Sequence, residues 1–187
     1  MKNVRAFRGL ALTGVAALGL IAMTPAVAES DFDIGANPSV DARVDFEVII
    51  PRFISFQVGS TGTTVDLVQF DVVDPTTGTP VARSNGGALT VDLLGNIGDI
   101  QIEAATTTLV NGAGDSLAWD EIDTTTADAG FPAPTLADGA IAPVTVSPAG
   151  LGRIVDRTST WTYTYANSAL VGAGTYQGTV TYTASAP

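Results

Sequence analysis

"GTYQGTVTYTASAP", Gly174 to Pro187, is the stretch on which the fold reading turns. Tyr176, Gly178, Val180, Tyr182 and Ala184 fall on one face, and Thr175, Gln177, Thr179, Thr181 and Thr183 on the other. A two-residue repeat of apolar and polar side chains is the period of a half-buried β-strand. Just upstream, "STWTYTYA" (159–166) places Trp161, Tyr163 and Tyr165 opposite Thr160, Thr162 and Thr164, with the loop "NSALVGAG" between the two runs. The spacing predicts that the closing strand pairs antiparallel with this aromatic strand, at about 0.2–1 kcal/mol per cross-strand pair.

The same vocabulary fills the rest of the chain. "VDARVDFEVII", Val40 to Ile50, alternates Val44, Phe46, Val48 and Ile50 against Arg43, Asp45 and Glu47, and Pro51 stops it. "RFISFQV" (52–58) and "TTVDLVQFDVV" (63–73) continue the pattern. "ALTVDLLG" (88–95) and "DIQIEA" (99–104), joined by turn residues in "GNIG", have the form of a β-hairpin. The polar stretch from about Thr106 to Gly139 is too rich in Pro, Gly and Asp for a helix of any length; it predicts short strands with large loops, where a site would sit. "APVTVSP" and "GRIVD" add short strands near the C-terminus. The expected fold is all-β: a single β-sandwich, Ig-like or jelly-roll-like, of roughly eight to ten antiparallel strands over residues 40–187.

The N-terminus has a different character. Lys2, Arg5 and Arg8 precede the apolar run "GLALTGVAALGLIAMT" and the small-residue triplet "AVA" at 26–28, the pattern of an export signal cut after Ala28. The expected product starts at Glu29 and is secreted across the inner membrane, without a transmembrane anchor. Its 159 residues suit one domain that buries roughly 70% of the surface of its unfolded chain. Without Lys2, Arg5 and Arg8, five Arg face 19 acidic residues, a net charge of −14. Such a surface repels phosphate backbones, so nucleic acid is not an expected partner.

The mature chain has no His, Cys or Lys. Thiol nucleophiles, Schiff-base lysines, Ser–His–Asp triads and ordinary zinc sites are therefore excluded. Paired carboxylates or an oxygen-ligated metal remain as chemistry, but no spacing singles out a catalytic pair, and the expectation is a non-enzymatic protein. The densest acidic group, Asp115, Asp120, Glu121 and Asp123, is a candidate calcium site, though it lacks the EF-hand register. Trp119, in the same loop region, either plugs the end of the sandwich or is exposed for stacking. A binding module for glycan or calcium is the second functional reading.

The signal segment, the early "VIIPRFISFQVG", the late "TWTYTYAN" and the closing "GTYQGTVTYTA" together resemble fimbrial (pilin-like) subunits of Gram-negative bacteria. The resemblance implies a structural subunit of the cell surface or extracellular matrix. It also implies assembly through β-strands with itself or related subunits, and a periplasmic chaperone as partner. On this resemblance, Tyr176, Val180 and Tyr182 lie on the accepting strand. A donor extension at residues 29–39 would present Phe32, Ile34 and Ala36.

Overall fold

The computed structural model describes residues 31–187, so the expected export signal at 1–28 lies outside the described residues. The chain divides into two units, Met1–Ile49 and Ile50–Pro187. In the first, residues 31–49 carry no strand, and Phe32, Ile34, Val44, Phe46, Val48 and Ile49 are exposed. The strand expected at Val40–Ile50 is thus absent from the fold. Alternation supplies a strand with two faces but does not choose its partner, and no β-ladder among the described residues includes this run.

The second unit holds ten strands: β1 (Ile54–Val58), β2 (Val81–Ala82), β3 (Leu89–Gly95), β4 (Ile100–Thr106), β5 (Leu109–Val110), β6 (Ser116–Leu117), β7 (Ile122–Thr126), β8 (Val144–Val146), β9 (Val155–Tyr165) and β10 (Val180–Ser185). The expected all-β, antiparallel, sandwich-like architecture is what forms. "GRIVD" and "STWTYTYA" merge into one long strand, β9, which is the spine of the larger sheet. One edge of β9 pairs with β7. The other pairs with β3 (Leu89↔Trp161 to Gly95↔Val155) and, beyond it, with β2 (Val81↔Tyr165). β1 lies outside β3. The smaller sheet runs β10–β4–β8, and β5 and β6 form a short hairpin.

Two expected pairings are corrected. β3 and β4 do not form a hairpin: β3 joins the β9 sheet and β4 the β10 sheet. Leu89, Val91 and Leu93 on one, and Ile100 and Ile102 on the other, enter the same core from opposite sheets. An arch between sheets and a hairpin within one need the same alternation. Here the link turns at Gly98, whose φ of +94° is open to glycine. Likewise β10 pairs with β4, not with the aromatic strand β9. It meets β9 face to face instead. Tyr182 packs on Trp161 at 5.1 Å between ring centroids, and Phe131 meets the same indole edge-on at 5.9 Å.

The run 63–73 also forms no assigned strand, although Asp66, Val68 and Phe70 turn inward alternately. Side chains replace its ladder. Asn85 Oδ1 accepts the Gln69 N–H while Asn85 Nδ2 and Arg83 donate to Leu67 O, and a single backbone bond runs from Ser84 N–H to Gln69 O.

Candidate functional site

The closing strand is held on one edge only. Pairing with β4 runs Val180↔Thr106 to Ser185↔Gln101. Thr107 N–H continues the ladder by donating to Thr179 O, and Gln177 and Val110 exchange both backbone bonds. Backbone polar groups of a strand point alternately to its two edges. Thr179 faces β4, so Thr181, Thr183 and Ser185 do as well, while Val180, Tyr182 and Ala184 turn their N–H and C=O groups outward. No strand among the described residues pairs with that outer edge.

The side chains of the same three residues point inward and are half-buried. Ile54, Phe56 and Val58 of β1 are half-buried too, whereas Val91, Leu93, Ile100, Ile102 and Trp161 are fully enclosed. β1 and β10, the edge strands of the two sheets, approach each other on this side. The sandwich is therefore only partly closed along β1 and β10. Tyr182 anchors the edge: its hydroxyl meets that of Tyr163 at 3.0 Å across the core. Burial pushes the Tyr163 phenol above its ordinary value, against the opposing effects of the Tyr182 hydrogen bond and the Arg83 charge. Burial, reinforced by Tyr163, raises Tyr182 further.

Of the residues expected to serve assembly, Tyr176, Val180 and Tyr182 share one face of the closing segment, and the Tyr176 hydroxyl donates to Gly172 O. Phe32, Ile34 and Ala36 lie in the other unit, exposed and outside any strand. A bend occupies residues 35–37, and Ser39 N–H donates back to Asp33 Oδ2.

The four acidic candidates are scattered by local structure. Asp115 sits in the β5–β6 turn, where its carboxylate accepts from Asn111 Nδ2 at 2.9 Å. Asp120 and Asp123 are exposed, whereas Glu121 is buried and accepts both the Ser168 N–H and the Ser168 hydroxyl. Among the described residues, no three His, Cys, Asp or Glu side chains converge as metal ligands. Glu121 and Asp138 line an open pocket of about 490 Å³ with Leu117 and Val171. Trp119 is the plug rather than the platform: it is buried, and its indole N–H donates to Thr107 O.

Amides that sequence patterning did not single out organise the unit's borders. Asn96 accepts the Phe53 N–H and donates to Pro51 O. Asn167, at φ +54°, donates to Asp74 O and Thr79 O. The only signal in the sequence is their place beside Gly or after a strand, which is shared by ordinary turn residues.

Comparison with protein-family models, curated proteins and solved structures returned no match. No helix among the described residues is long and apolar enough to cross a membrane.

Proposed function

We propose that the protein is a non-enzymatic, exported structural subunit of fimbrial or extracellular-matrix type, acting at the cell surface through β-strand-mediated assembly or adhesion. The observation that carries this reading is the outer edge of β10, a regular strand with which no strand among the described residues pairs on that side. An open edge is a template for another strand: its backbone gives affinity, and the pockets between alternate side chains give selectivity. The partners are further copies or related surface subunits, with a periplasmic chaperone covering the edge before assembly.

The test is a single proline. Ala184 turns its N–H outward, so Ala184→Pro removes a donor from the free edge and spares the β4 ladder. Sedimentation velocity, negative-stain microscopy and gels of unboiled sample should show oligomers or fibres for the wild type and monomers for Ala184→Pro. A wild type that stays monomeric at high concentration, with and without calcium, refutes the proposal.

A further inference from the structure

We propose that the cavity between the β5–β6 hairpin and the segment 169–171 binds an aliphatic diamine or polyamine, with one ammonium at Glu121 and a second at Asp138. No residue of β10 lines this cavity, and the proposal is independent of the assembly reading.

Local structure gathers the walls. Thr108 precedes β5, and Ser116 and Leu117 form β6. The 3₁₀ turn Trp119–Glu121 follows at once and brings Glu121 to the cavity, while Val171 bounds it from the segment after β9. The turn is pinned at both ends: the Trp119 indole donates to Thr107 O, and Glu121 O accepts the Ala166 N–H. The resulting space of about 490 Å³ is of the size that small-molecule sites occupy.

Its charge is one-sided. Glu121 is 8% exposed, and a carboxylate so buried is ordinarily matched by a cation. Here it accepts from two neutral groups, the Ser168 N–H and hydroxyl, which fill about half of its roughly four acceptor positions. Asp138 is exposed and accepts one long bond, from the Trp119 N–H at 3.4 Å. No lysine or arginine is among the lining residues. Arg83, Arg153 and Arg157 are committed elsewhere, to Leu67 O, Ile97 O and Asp128. The cavity thus holds two carboxylates and no internal cation.

The other walls select the kind of cation. Calcium takes about six to eight oxygens, yet among the described residues no third acidic side chain converges with these two. Leu117 and Val171 are apolar. An alkylammonium has three N–H donors to satisfy and lays its methylene stem along apolar surface. Thr108 and Ser116 add hydroxyl oxygens beside the carboxylates. With Glu121 buried and Asp138 exposed, two ammonium groups on one methylene chain give a charge-assisted hydrogen bond at each end.

The test is isothermal titration of the purified protein with putrescine and spermidine, which should bind saturably at one site. Butylamine, with a single ammonium, should bind at least about tenfold more weakly. Glu121→Gln removes the inner charge and keeps an acceptor for Ser168, and Asp138→Asn removes the outer charge. Each should weaken putrescine by about tenfold to a hundredfold. Asp156→Asn is the control and should bind as the wild type does. It removes an equal charge from an exposed position at the far end of β9 from Tyr165, which pairs with Ile122 beside Glu121. An equal loss in Asp156→Asn would overturn the site, because net charge alone would then attract the amine. Absence of saturable heat would overturn it as well, and equal affinity for butylamine and putrescine would remove the second ammonium contact. If Glu121→Gln does not fold, Ala169→Arg replaces it, placing a guanidinium at an exposed lining position. That variant should abolish putrescine binding, and unchanged binding would refute the proposal.

Discussion

Raising the pH should loosen the closing strand through the Tyr163–Tyr182 pair. Both phenols are held above the ordinary tyrosine value of 10.0, chiefly by burial. The unfolded chain ionises them near that value while the folded chain keeps them neutral, so the unfolded state binds fewer protons in between. Stability is then full below about pH 10 and falls above it, by about 1.4 kcal/mol per pH unit for each such phenol. At about pH 11 Tyr182 alone costs roughly 1.4 kcal/mol, and Tyr163 adds to it in the same direction, against a typical domain's 5–15 kcal/mol. The comparison protein is Tyr163→Phe/Tyr182→Phe. It removes both hydroxyls of the pair at once and leaves neither without its partner, so it should be nearly neutral at about pH 8. Urea unfolding at about pH 8, 10 and 11 should show a wild-type loss greater than that of the double variant by about 1.4 kcal/mol or more. Tyr165, also raised by burial, is present in both and cancels. Equal losses would refute the reasoning, since the two phenols would then ionise as readily folded as unfolded.

Gly178 lies in the segment that leads into β10: an added Cβ would stand 2.8 Å from Trp119 Cζ2 and 3.1 Å from Leu109 Cδ1. Gly178→Ala should cost about 1–3 kcal/mol and lower the melting temperature by several degrees, whereas Gly112→Ala, which meets nothing within 4 Å, should leave it unchanged. Glu121→Ala removes the acceptor of two Ser168 donors and should cost about 1.5–3 kcal/mol in urea unfolding, with Glu121→Gln losing less because its amide oxygen still accepts.

Strand faces were legible in the sequence, and strand partners were not. The alternations at Leu89–Leu93, Ile100–Ile102, Trp161–Tyr165 and Val180–Ala184 all survive as inward faces. They reflect a local rule, that one side of the strand is wet and the other dry. Whether β3 turns back beside β4 or arches over to the opposite sheet depends on the core between them, and both solutions bury the same side chains. The same ambiguity sent β10 to β4 rather than β9, with Tyr182 touching Trp161 through the core instead of alongside it. The run 63–73 was read as a strand and forms none: amide and guanidinium groups of Asn85 and Arg83 bond its backbone in place of a ladder, a substitution that no periodicity records. The acidic group of Asp115, Asp120, Glu121 and Asp123 is close in sequence, yet a hairpin turn, a 3₁₀ turn and a strand aim its members apart.

Charge is spread unevenly along the chain. An edge strand with no partner is commonly blunted by lysine, proline or a bulge. From Thr158 to Pro187 the chain has no charged residue, although 19 acidic side chains are spread over the rest, and the one proline of that stretch is the last residue. The outer edge of β10 is thus left without the usual protections in a protein whose net negative charge would otherwise repel a second copy. Repulsion between like-charged copies is long-ranged and screened over about 8–10 Å in physiological salt, while backbone pairing acts only on contact. A chain so arranged resists indiscriminate association at long range and leaves the uncharged edge of β10 open to pairing at contact, as the proposed assembly requires.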